Sequence, residues 1–82
     1  MTLFHVGLKN YVNADRVIAI LKPNSAPIIR AIQAARQNGT LIDCTSGRKT
    51  LSVLFTDSRH IILSALQPET LGKRWIGEEE KQ

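Results

Sequence analysis

The sequence predicts an α+β fold: a small, mainly antiparallel β-sheet with one main covering helix and a short C-terminal helix. Three patterns predict it. Several short stretches alternate in polarity or run apolar for only a few positions, which are strand lengths rather than helix lengths. One longer stretch, residues 25–39, repeats apolar residues at helical spacing between a Ser-Ala-Pro start and an Asn-Gly stop. The last three apolar stretches are joined by short segments rich in turn residues, which favours antiparallel neighbours.

The elements follow in order. Thr2 to Leu8 sets Thr2, Phe4, Val6 and Leu8 against Leu3, His5 and Gly7, the two-residue period of a strand. Residues 9–16 contain Asn10, Asn13 and Asp15, whose side chains compete for backbone hydrogen bonds, and read as a loop. Val17 to Leu21 is unbroken and apolar, the pattern of a buried strand. Pro23 ends it, Ser25 is placed to cap a helix, and Pro27 falls in a first turn that needs no intrahelical donor. Ile28, Ile32 and Ala35 then share one helix face, Arg30, Gln33 and Gln37 lie away from it, and Gly39 supplies a left-handed stop.

Leu41 to Thr45 reads as a short strand and Ser46-Gly47 as a tight hairpin turn. Thr50 to Thr56 reads as a strand with Leu51, Val53 and Phe55 on one face. Asp57 to His60 reverses the chain, Ile61 to Leu66 is a further apolar strand, and Pro68-Glu69-Thr70 opens a short helix toward Trp75. One helix covers only part of one sheet face, so sheet surface or strand edges remain for a second copy. Self-association is expected.

With 82 residues the chain holds one domain, assigned to residues 1–77, and a short acidic tail at 78–82 with no assigned function. A core of this size confers modest stability, which assembly would raise. No apolar run reaches the ~18 residues of a membrane span, and the N-terminal segment lacks a basic leader with a cleavage site, so a cytoplasmic protein with no membrane partner is expected. Cys44 has no second cysteine, and with only His5 and His60 no array is spaced for zinc. No metal or other cofactor is expected.

Charge points to a partner. The formal net charge is +4, and because residues 78–82 carry a local −2, residues 1–77 hold ten basic against four acidic groups, or +6. Such a field attracts polyanions. The stretch Ser46-Gly47-Arg48-Lys49-Thr50 ends like a phosphate loop, yet Gly47 is followed by Arg48 and a strand comes next, so nucleotide hydrolysis is rejected. What survives is a turn presenting Arg48 and Lys49 where glycine lets a phosphate approach the backbone. Solubility alone also makes turns basic. Arg16 sits between loop and strand; Arg30 and Arg36 sit on different sides of the helix, where solvation and packing over the core are the ordinary uses of such residues. Asp15 beside Arg16, and Asp43 near Arg48 and Lys49, can form local ion pairs that would blunt an anion site.

Catalysis finds little support. Ser46, Ser58 and Ser64 lack a nucleophile-elbow glycine pattern, and His5 and His60 read as a strand and a turn residue. Cys44, in an expected strand, reads as a small buried hydrophobe. Glu78, Glu79 and Glu80 are consecutive, with nothing to fix a catalytic separation. Four aromatic residues are too few for a stacking platform for single strands, so duplex DNA fits better than single-stranded RNA.

These residues also resemble a known family. Val6-Gly7 with Asn10, Arg16 to Ile20, Ser25-Ala26-Pro27-Ile28, Ala35-Arg36, Gly39 to Asp43, Gly47 to Thr50, Thr56-Asp57-Ser58 and Ile62 to Thr70 are similar, in order and spacing, to the RemA family of bacterial regulators. The resemblance runs from about Val6 to about Arg74. It implies a small DNA-binding transcriptional regulator, known for biofilm-matrix genes, with a LytTR-related fold and a ring-shaped homo-oligomer that wraps double-stranded DNA. By position it makes Arg16, Arg48 and Lys49 the expected DNA contacts, with Arg30 and Arg36 at matching basic helix positions.

The chain departs from that pattern in three places. Lys49 stands where a second arginine is usual, Ser46 where a tyrosine is, and Asp15 where a neutral residue precedes the basic one. Lysine contacts phosphate as a point charge without arginine's bidentate fork, which favours nonspecific contact over base reading. The competing reading is an oligomeric scaffold that binds a protein or a small anion through the same basic turn, with no direct DNA role. An enzyme is third.

Overall fold

The computed structural model describes residues 2–77, and the acidic tail assigned to 78–82 lies outside them. Strands β1 (Leu3–Gly7) and β2 (Asn10–Asn13) form a hairpin, a single 3-10 turn (Ala14–Arg16) follows, and β3 is Val17–Leu21. Helix α1 is Ala26–Asn38, followed by β4 (Leu41–Asp43), β5 (Ser52–Thr56), β6 (Ile61–Ser64) and helix α2 (Pro68–Trp75). The α+β class, the main helix and the short last helix are as predicted.

Helix α1 begins where Pro27 falls in the first turn and ends where Gly39 turns left-handed at φ +76°, its N–H donating to the Ala35 carbonyl. Ser25 is extended at the start, but its side chain makes no capping hydrogen bond. Ile28, Ala31, Ile32 and Ala35 pack on Val53, Ile61 and Leu63, with Leu41 and Phe55 at the margin. Each fully buried aliphatic side chain there contributes roughly 1.5–3 kcal/mol.

The main sheet runs β3-β5-β6-β4, with β3·β5 and β5·β6 antiparallel and β4·β6 parallel. Two expectations are corrected. Ser46-Gly47 is not the tip of a hairpin, because β4 pairs with β6 and the chain must cross from the sheet edge to reach β5 in the middle. The departure is fixed at the end of β4, where Asp43 accepts hydrogen bonds from the Thr45 N–H (2.8 Å) and hydroxyl (2.6 Å). Of the last three strands, β5 and β6 alone are joined by a tight turn, at residues 57–60, which Thr56 knits by donating to the His60 carbonyl at 3.1 Å. Nor is β3 buried: it is the sheet's other edge, and Ile18, at an irregularity between Val17 and Ala19, is 63% exposed.

Residues 9–16 also differ from the predicted loop. Leu8 and Lys9 adopt positive φ (53° and 65°) and return the chain as β2, with Phe4 opposite Val12 and His5 opposite Tyr11. Gly7 beside them is buried at φ +108°, where an added Cβ would lie 3.5 Å from the Leu66 side chain. The hairpin and α2 cover the second face of the sheet, burying Phe4, Val6, Ala14, Val17, Leu54, Ile62 and Leu71 in one cluster. Three layers result, so what the main sheet leaves open is its two strand edges rather than a face.

Polar bonds tie the second face to the sheet. Ser52 and Ser64, paired across β5·β6, are fully buried. The Ser64 hydroxyl donates to the Val6 carbonyl (2.7 Å) and accepts from the Leu66 N–H (3.1 Å), while the Trp75 indole N–H donates to the Ala14 carbonyl (2.9 Å). Ser64→Ala leaves the buried Val6 carbonyl and the half-buried Leu66 N–H with one partner fewer. It is expected to cost about 1–3 kcal/mol, read as a lower urea midpoint at unchanged m-value.

Candidate nucleic-acid interface

The β3·β5 register decides which cations meet. Val17 pairs with Thr56 and Leu21 with Val53, so Arg16 lies at one end of the ladder and residues 22 and 49–51 at the other. At ~3.3 Å per residue the two ends are roughly 16 Å apart. Arg16 and the Arg48-Lys49 pair therefore do not form one cluster in this chain.

At the first end, the Arg16 Nε donates to the Asp57 carboxylate at 2.7 Å, with the two side chains 57% and 48% exposed. The hydrogen bond, and then the charge, of Asp57 hold the Arg16 proton more firmly than usual. Asp15, the neighbour that could have paired with Arg16, does not; the partner comes from the β5–β6 turn, 41 positions on. The same turn carries exposed Arg59 and brings the Ser58 hydroxyl to 2.8 Å from His60 Nδ1 and 2.9 Å from the Thr56 hydroxyl. This serine–histidine contact, unforeseen in the sequence, is local to a four-residue turn and serves to brace it.

At the second end, Ser46 and Gly47 take positive φ (54° and 84°), the Arg48 N–H donates to the Thr45 carbonyl at 3.1 Å, and Arg48 and Lys49 project from the loop, exposed. Among the described residues neither forms an ion pair. Asp43, the acidic residue that could have paired with them, is engaged elsewhere. Its carboxyl is held below the usual carboxylate range by the Thr45 hydroxyl and N–H, with a smaller contribution from the charge of Arg36. Arg30 and Arg36 are exposed on α1, and Arg36 thus has a carboxylate within electrostatic reach.

Two participants escaped the sequence reading: Asp57, the partner of Arg16, and Lys22, which joins Lys49 in lining one cleft. No linear signal marks either, because strand pairing alone makes both encounters. Cys44 lies just past β4, half-buried against the hairpin-side core, and burial, then the charge of Asp43, push its thiol pKa up. Among the described residues no three His, Cys, Asp or Glu side chains gather to hold a metal ion, and no helix is long and apolar enough to cross a membrane.

The sequence matches the family described as RemA-like, extracellular matrix regulatory protein A-like, over residues 3–75. A relative from Oceanobacillus iheyensis named "Putative regulatory protein" is 50% identical over 80 residues, covering 98% of this chain and 93% of the relative. One from Gloeothece citriformis with the same description is 52% identical, covering 98% and 91%. A third, from Fervidobacterium nodosum, is 55% identical over 74 residues, covering 90% and 80%.

Proposed function

The chain belongs to the RemA-like family, and from that premise we propose that it is a DNA-binding transcriptional regulator whose copies close into a ring and hold duplex DNA along repeated cations. The observation that carries this reading is the Arg48-Lys49 loop: two adjacent exposed cations, without an ion-pair partner among the described residues, on a segment braced by the Asp43–Thr45 hydrogen bonds. Arg48, Lys49 and Arg16 are the contacts, with Arg30 and Arg36 adding to the field. The β3·β5 ladder, roughly 16 Å long, keeps Arg16 and the Arg48-Lys49 loop at opposite ends, so they reach different phosphates.

Assembly is assigned to the sheet edges. The outer sides of β3 and β4 are different surfaces, each with an exposed isoleucine, Ile18 at 63% and Ile42 at 45%. A β3 edge meeting a β4 edge is a head-to-tail contact, and such contacts form rings when the rotation closes. One subunit offers two or three phosphate contacts, whereas linked copies raise the effective concentration of each next contact.

The test is sizing by light scattering, alone and with a ~100-base-pair duplex, from low to physiological salt. A discrete multi-subunit particle that gains the duplex and releases it as salt rises is the expected result. A discrete particle that ignores DNA at low salt sinks the proposal. A second expectation concerns the Arg16–Asp57 pair. Asp57→Asn removes the charge that competes with phosphate for Arg16, so duplex binding should tighten several-fold and its salt dependence steepen, by up to ~0.9 in log–log slope per subunit engaged.

A further inference from the structure

The end of the sheet that carries Lys49 holds a cleft of about 260 Å³ lined by Lys22, Asn24, Lys49, Thr50 and Gln67, with Pro23 and Leu51 as its apolar part. Its walls come from three places: the segment after β3, the loop before β5 and the residue before α2. The antiparallel β3·β5 pairing fixes the first two against each other. Among the described residues neither lysine forms an ion pair. The acidic residue nearest the lining in sequence is Glu69, exposed in the first turn of α2. Two lysines lining one cleft place like charges near each other, and an anion bound there relieves their repulsion. The Asn24 and Gln67 amides and the Thr50 hydroxyl add uncharged donors suited to phosphate oxygens.

We propose that this cleft binds a phosphate group and, resting on the reading above, that the group is a backbone phosphate of the duplex. Lys22 is then a DNA contact beside Lys49, and this end of the sheet faces the DNA. Arg48 adds charge at the rim from the same loop, so each subunit grips the backbone with three cations at this end rather than two.

The full chain is titrated with two probes, inorganic pyrophosphate and a ~100-base-pair duplex, following the backbone amide signals of Asn24 and Thr50. The salt dependence of duplex binding is measured beside them for wild type, Lys22→Ala, Lys22→Gln and, as an exposed cation outside the lining, Lys9→Ala. Both probes are expected to shift the two signals and to compete. Both Lys22 variants should weaken duplex binding several-fold and lower the slope by roughly 0.9 per subunit engaged, at unchanged particle size, while Lys9→Ala leaves both unchanged. If the Lys22 variants bind duplex like wild type while Arg48→Ala weakens it, the cleft assignment is wrong and the DNA reading stands. If pyrophosphate shifts the signals but duplex never binds at low salt, the backbone assignment falls together with that reading, and the cleft is a free-anion site. If neither probe shifts them, the phosphate site itself is overturned.

Discussion

Ile42→Lys is expected to convert the assembly into single 9.1 kDa chains and to weaken duplex binding by about 10²–10⁴-fold, the range that linkage of modules supplies. Ile42 lies on β4, an outer strand of the main sheet, and is 45% exposed, so the change need not disturb the core. A lysine at an edge is a common natural block to strand addition, because its charge must be desolvated when another strand docks. Ile29→Lys, at a similarly exposed position on α1, is the control that should keep its size. The head-to-tail geometry makes a sharper demand. Ile18→Lys spoils the β3 edge and leaves the β4 edge intact, while Ile42→Lys does the reverse. Each variant alone should be monomeric, and an equimolar mixture should stop at a dimer containing one of each. Light scattering on the three samples decides it. A dimer from Ile18→Lys alone would mean that β4 edges meet each other, and the ring would have to be abandoned.

What was legible in the sequence was local. Helix α1 rests on a proline in its first turn, apolar spacings of three and four, and a glycine at positive φ, all written within fourteen residues. The β5–β6 hairpin likewise rests on neighbouring chemistry, the turn residues at 57–60. What failed was non-local or atypical. The β1–β2 reversal uses Leu8 and Lys9 at positive φ, where asparagine and glycine are the usual residues, so no turn signal marks it. The parallel pairing of β4 with β6 depends on where α1 delivers the chain, which residues 41–43 do not encode. Val17 to Leu21 reads as buried because apolar composition does not distinguish a central strand from an edge strand.

The candidate site divides the same way. Exposed arginines and lysines are visible in any sequence, and Arg48-Lys49 next to a glycine turn was visible as a pair. Their consequences depend on pairing. Arg16 acquires Asp57 across the β3·β5 ladder and not its neighbour Asp15, and Lys49 acquires Lys22 across the same ladder. One strand register thus neutralises one proposed contact and reinforces another. A sum over charges would have counted the two alike.

That contrast ranks the cations, and the Arg48→Ala, Lys49→Ala double variant should show the second large effect. Each phosphate neutralised contributes ~0.9 to the slope of log affinity against log salt, so removing two contacts per subunit should flatten the slope by roughly 1.8 for every subunit engaged. At 0.15 M salt the same relation makes the loss more than about 100-fold once two subunits are engaged. Arg16→Ala should do less, because the Asp57 carboxylate already occupies its guanidinium. Arg36→Ala should be milder for a similar reason, since the Asp43 carboxylate shares its field. The Lys49→Arg variant should retain the slope and add a bidentate donor, raising discrimination between sequences if that position reaches base edges. Salt titrations of duplex binding, with particle size checked for each variant, distinguish these cases. An unchanged slope in the double variant, in particles of unaltered size, would remove Arg48 and Lys49 from the contact set and with them the observation on which the DNA proposal stands.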